Sequence, residues 1–161
     1  MKIRCDYVTN SSSSSFIVGF KSENNIDSQL KESMVKHNPS SVYRYDEVLR
    51  DIKNHRITKE YALEIFKDEV RWDVEFYLED SYERKLGSYT DFRKWIKKKE
   101  NKKEFDDAIN SKVDELYKRF KEKIDGCEYL AEVEYCDHTD GDLEHEIMPY
   151  LDCTIKRFSH H

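Results

Sequence analysis

Gly126-Cys127-Glu128-Tyr129-Leu130-Ala131-Glu132-Val133-Glu134-Tyr135-Cys136 is the stretch on which the reading of this chain turns. Before Gly126 the apolar residues recur every three or four positions; after it they recur every second position, the change from the helical to the strand repeat. Tyr129, Ala131, Val133 and Tyr135 point one way, while Glu128, Glu132, Glu134, Cys136 and His138 point the other. Downstream, Thr139-Asp140-Gly141-Asp142 has the composition of a hairpin turn, with a glycine free to take a positive φ. The expectation is therefore a hairpin whose second strand covers about 143–148. Pro149 acts as a breaker and a last strand runs over about 153–158.

Upstream of Gly126 the pattern is helical. Phe105, Ile109, Val113, Leu116, Tyr117, Phe120 and Ile124 form one stripe, and Phe92, Trp95 and Ile96 form another, with the charged run from Lys97 to Glu104 as the expected break between them. The strongest helix spans Thr58 to about Lys85. Thr58 caps it, Ala62, Ile65, Phe66, Val70, Val74, Tyr77 and Leu78 line its apolar face, and Gly87 stops it. Ile26, Leu30 and Met34 predict a helix from Ile26 to His37, closed by Asn38-Pro39, and a shorter helix follows over about 43–55.

Phe16-Ile17-Val18-Gly19-Phe20 reads as a buried strand, and the five serines before it either lengthen that strand or belong to a polar arm over 1–15. These elements predict an α+β fold. Its small, mainly antiparallel sheet is made from the N-terminal strand, the C-terminal hairpin and the last strand, packed by a central helical segment. With 161 residues, no internal repeat and no linker, one domain is expected over 1–161.

Composition narrows the class of protein. The hydrophobic fraction of 37% is low and the charged fraction of 39% is high, but 13% aromatic residues are more than a disordered chain carries. No apolar run approaches the ~20 residues of a membrane span, and Lys2 and Arg4 lead into polar residues rather than into the apolar core of a secretory signal. The expected location is the cytoplasm, where Cys5, Cys127, Cys136 and Cys153 are free thiols or metal ligands. The net charge of −6 speaks against nucleic acid as a partner. That charge is segregated: from Asp125 to Ile155 there are many carboxylates and no Lys or Arg, whereas Lys97, Lys98, Lys99, Lys102 and Lys103 form a basic pole.

Chemistry-bearing residues gather near the C-terminus. Cys136, His138, His145, Cys153, His160 and His161 supply sulfur and imidazole donors of the type zinc takes four at a time. Glu134 and Glu144 stand by to orient a ligand or to act as a general base toward a bound water. On a hairpin, Cys136 and His138 share a face and His145 returns beside them. Against this, the chain has neither paired CxxC knuckles nor a HExxH helix, and buried thiols with surface histidines would account for the same residues. The Asp137–Asp142 stretch also fails as an EF-hand loop, because Gly141 in the sixth position leaves Met148 near the place of the bidentate glutamate. The lysine pole offers a contact for phosphate or an acidic partner, and equally a solvated helix face, since Glu100 and Glu104 interrupt it. No glycine-rich phosphate loop and no nucleophile elbow is present.

The opening Met1-Lys2-Ile3-Arg4-Cys5-Asp6-Tyr7-Val8-Thr9-Asn10, followed by Ser11 to Ser15 and Phe16-Ile17-Val18, resembles the start of many uncharacterised bacterial proteins, largely of Firmicutes, and of their phages. The ending Ile155-Lys156-Arg157-Phe158-Ser159-His160-His161 is similar to the Ser-His-His tail of some of them. The resemblance covers only the two ends and carries no activity. It implies a bacterial or phage cytosolic protein, and an N-terminal segment used in front of different bodies implies recognition rather than catalysis.

Two functional expectations follow. The first is a non-catalytic interaction module that needs no cofactor, binds an unidentified protein partner and involves no membrane. A homodimer could form through the strand edge beside the serines. The alternative is a zinc-binding protein, extending to a metal-dependent hydrolase, built on the C-terminal Cys/His cluster.

Overall fold

Ser13–Phe20 forms β1, one of the two inner strands of a four-stranded antiparallel sheet in a computed structural model that describes residues 13–160. The N-terminal 12 residues and His161 lie outside the described residues, as does the side chain of His160. Of the serine run, Ser13, Ser14 and Ser15 therefore belong to the strand. Arg56–Ile57 is β2, Tyr129–Cys136 is β3 and Thr154–His160 is β4, and the order across the sheet is β2-β3-β1-β4. β1 runs antiparallel to β3 from Ser13 opposite Cys136 to Phe20 opposite Tyr129. On its other side it pairs with β4 from Ser13 opposite His160, with a bulge between Ile17 and Val18. The edge beside the serines is thus β4.

The helices are α1 (Ile26–His37), α2 (Tyr45–Asn54), α3 (Lys59–Leu86), α4 (Tyr89–Trp95), α5 (Lys99–Asp125) and α6 (Asp137–Asp142). Together with the sheet they make the fold α+β. The chain divides into two compact units, one made of the described residues up to Lys59 together with those from Lys123 onward, the other of Glu60–Glu122.

In the first unit, alternation places Phe16, Val18 and Phe20 on one face of β1 beside Tyr129, Ala131, Val133 and Tyr135 of β3. That face is covered by Ile26, Leu30 and Met34 of α1 and by Val48 and Ile52 of α2, all fully buried or nearly so. Leu143, Ile147, Met148 and Leu151 complete the cluster. Each such side chain contributes about 1.5–3 kcal/mol by leaving water. The buried hydroxyls are satisfied: Tyr129 donates to the Ile52 carbonyl at 2.9 Å and Tyr135 to Asp51 Oδ2 at 3.2 Å. On the opposite face, a Cβ on Gly19 would fall on Ile155 Cδ1 and within 2.6 Å of Cys127 Sγ, so glycine is what lets those side chains close over the strand.

In the second unit, Gly87 takes a φ of +101° and donates to the Glu83 carbonyl at 2.8 Å, which ends α3 at the expected place. Ser88 then caps α4, its hydroxyl accepting from the Asp91 amide at 3.2 Å. The break expected in the charged run falls at its start, over Ile96 to Lys98. Phe66 stacks on Phe120 at 4.2 Å, and Tyr82, Phe92, Trp95 and Phe105 pack ring against ring at 5.0–6.5 Å.

The C-terminal hairpin is not formed. After β3 the chain enters α6, continues through a π-helical turn over Leu143–Ile147 and a 3₁₀ turn over Met148–Tyr150, and only then begins β4. Gly141 does not take a positive φ; the irregular residue is Asp140 at φ −133° and ψ 36°. The physical reason lies in neighbouring pairs. Leu143 with Glu144 and Ile147 with Met148 are buried side by side, which a strand with one covered face forbids and a helix allows.

Candidate functional site

The helical path from Asp137 to Tyr150 carries Glu144 into the interior, where its side chain is fully buried. A lone carboxylate there would be costly, and polar neighbours from both ends of the chain meet it. Ser14 of β1, also fully buried, donates its hydroxyl to Glu144 Oε1 at 2.7 Å. Arg157 of β4 donates from Nε to Ser14 Oγ at 3.1 Å and from Nη2 to Glu144 Oε1 at 3.3 Å. Its guanidinium also lies over the Phe16 ring at 5.7 Å. The described parts of the two stretches that carry the N- and C-terminal resemblance thus lie on neighbouring strands, with Phe16 opposite Arg157 and Ser14 opposite Ser159.

His145 stands next to this group and is about half exposed. Its Nε2 is 3.1 Å from Asp137 Oδ1 and 3.8 Å from Glu144 Oε2, and its Nδ1 is 3.4 Å from Arg157 Nη2. One donor atom from each of Asp137, Glu144 and His145 lies within 4.8 Å of the other two, the one such group of His, Cys and carboxylate donors among the described residues. Of the residues expected to hold a metal or assist one, the structure brings together Glu144 and His145, and it adds Asp137. Cys136 ends β3 and His138 is the second residue of α6, exposed, while Cys153 is buried and Glu134 is exposed; none of the four enters the group. Burial pushes the Cys153 thiol up to about 12 and raises that of Cys127 as well, so neither is a thiolate near neutral pH. His160 is paired to Ser13 through its backbone, and His161 lies outside the described residues.

Sequence spacing missed Ser14, Asp137 and Arg157. Placing Asp137 and His145 on opposite strands hid that one helical path brings them together.

A different surface dominates the second unit. Trp72 and Phe76, one turn apart on α3, are each 77% exposed, and Tyr77 is 65% exposed although its spacing had placed it on the apolar stripe. Every position three or four residues from either ring is an acid or the other ring: Asp68, Glu69 and Glu75 around Trp72, and Asp73, Glu79 and Asp80 around Phe76. Both rings lie off the apolar stripe in sequence, which was the available sign of their exposure. The lysine pole forms the turn before α5 and its first two turns. Lys97, Lys98, Lys99, Lys102 and Lys103 are all exposed there, and a shallow groove is lined by the last three with Glu100, Asp106 and Asp107.

No helix among the described residues is long and apolar enough to cross a membrane. Compared with known proteins, the chain matches no protein-family model, no curated protein and no solved structure.

Proposed function

We propose that this protein is a non-catalytic interaction module that receives a basic protein segment on the Trp72–Phe76 face of α3. The observation that carries the reading is the exposure of two large rings on consecutive turns of one helix. Soluble proteins rarely leave an apolar surface of this kind in water unless it meets a partner, and exposed aromatics are the residues that anchor interfaces. The ring of carboxylates supplies the second half of the specificity, because it repels acids and attracts a segment that presents Lys or Arg around an apolar anchor. A second reading as a metal-binding protein rests on a separate group of residues and is taken up below.

The test compares wild-type protein with Trp72→Ala/Phe76→Ala as bait in extracts of its source cells. A partner with a basic surface, retained by wild type and lost by the variant, and released as salt rises from about 0.1 M to about 1 M, supports the reading. Identical recovery by both baits sinks it. So does a wild-type protein that is dimeric in solution while the variant is monomeric, since the occupant of the face is then a second copy of the chain.

A further inference from the structure

We propose that Asp137, Glu144 and His145 bind one divalent transition-metal cation of the zinc class. The starting point is an imbalance within a single carboxylate. Glu144 Oε1 accepts two hydrogen bonds, from Ser14 Oγ and Arg157 Nη2, whereas the equally buried Oε2 accepts none. A buried carboxylate oxygen without a partner is unfavourable, and native structures nearly always supply one. The imidazole nearby does not fill the role, because His145 Nε2 at 3.8 Å is beyond hydrogen-bond range.

A cation would fill it. Zinc bonds to nitrogen and oxygen are about 2.0–2.2 Å, so donors that share one ion stand roughly 3–4 Å apart. His145 Nε2 lies 3.1 Å from Asp137 Oδ1 and 3.8 Å from Glu144 Oε2, within that span. One imidazole with two carboxylates is a borderline-to-hard donor set, which suits zinc or manganese rather than copper(I). Asp137 and His145 are 53% and 46% exposed, so an ion reaches the group from solvent and water completes its coordination. The Ser14 and Arg157 contacts to Oε1 hold the carboxylate in place from behind, the arrangement by which outer groups orient a metal ligand.

Arg157 opposes binding as well as supporting it. With the cation on Nε2 the imidazole proton resides on Nδ1, which faces Arg157 Nη2 at 3.4 Å, so the guanidinium must turn aside while keeping Ser14 and Glu144. Loading the site therefore moves the single proton of the neutral imidazole from Nε2 to Nδ1.

The experiment uses the full chain without a purification tag and with His160→Ala/His161→Ala, so that the terminal imidazoles do not compete. Zinc chloride is titrated calorimetrically near neutral pH. We expect one equivalent bound and a zinc-dependent rise in unfolding temperature. In Asp137→Asn and in His145→Ala we expect affinity at least tenfold weaker and the temperature rise abolished. Both side chains are half exposed, so these variants keep the parent's circular dichroism and its unfolding temperature without metal. No saturable binding by the parent, or equal affinity in the parent and both variants, overturns the proposal. Trp72→Ala/Phe76→Ala binds zinc like the parent, so this result and the partner test stand or fall separately.

Discussion

Glu144 and Cys153 are both buried beneath the same sheet, and the contrast between them shows what burial does to a group with partners and to one without. Glu144 is met by a hydroxyl and a guanidinium. Cys153 is surrounded by apolar side chains, and its thiol is pushed up to about 12, chiefly by desolvation, with a backbone hydrogen bond reducing the rise and the neighbouring Asp152 charge adding to it. At pH 8 the reactive thiolate fraction is then about a thousandfold below that of a free cysteine. In iodoacetamide at that pH, the peptide bearing Cys153 stays unmodified in the native protein and is alkylated once denaturant is added, as peptide mass spectrometry will show. Alkylation of native protein at the rate of a free thiol would mean that Cys153 is not enclosed as described.

At the scale of elements, the reach of sequence reading is set by how many residues declare one period. β3 declared itself because the alternation from Tyr129 to Cys136 spans eight residues, and α1, α3 and α5 did so over twelve or more. β2 has two residues and no period at all. The 143–150 segment failed for a subtler reason: the spacing of Leu143 and Ile147 by four satisfies both the strand and the helix repeat. Adjacent burial decides between them: Ile147 beside Met148 was visible as an apolar pair, whereas Leu143 beside Glu144 was not, because a glutamate is not read as a core residue from sequence. α6, which leads into that segment, is held down by Arg44, which binds Asp140 Oδ1 at 3.0 Å and Asp142 Oδ1 at 3.3 Å, and also Glu47 Oε2 of α2 at 2.9 Å. Burial works against the Arg44 charge, but these three carboxylates outweigh it and hold its pKa above the usual value. Tyr43 adds a bond to Asp142 Oδ2 at 2.7 Å. Arg44→Leu takes the cation away from three neighbouring acids and should lower stability by about 2 kcal/mol. Denaturant midpoints measure this, and a double-mutant cycle with Asp140→Asn should return a coupling of about 1 kcal/mol. A loss under about 0.5 kcal/mol would mean that the segment docks through its apolar side chains alone.

For the whole molecule, the segregation of charge along the chain becomes a device for joining distant segments. The stretch from Asp125 to Ile155 has no Lys or Arg of its own, and it takes cations from elsewhere: Arg44 for Asp140 and Asp142, Arg157 for Glu144, and Lys36 for Asp152, which His37 also meets with a hydrogen bond. The partners of Asp152 lie at 3.0 Å and 2.7 Å, more than a hundred residues away in sequence. The hydrogen bonds from His37 and then Lys36 hold the Asp152 carboxyl below its ordinary value of 3.8, and Lys53 does the same for Asp27. A carboxyl whose pKa is lower folded than unfolded stabilises the native state above its unfolded value, and that contribution disappears as pH falls through the folded one. Stability should therefore be level from pH 7 down to about 4 as far as these groups are concerned, and decline below that. Urea midpoints measured in steps between pH 7 and pH 2.5 would trace the decline, and Asp27→Asn/Asp152→Asn should make it shallower without altering its starting pH. If the double variant declined as steeply as wild type, these two bridges would contribute nothing measurable to stability.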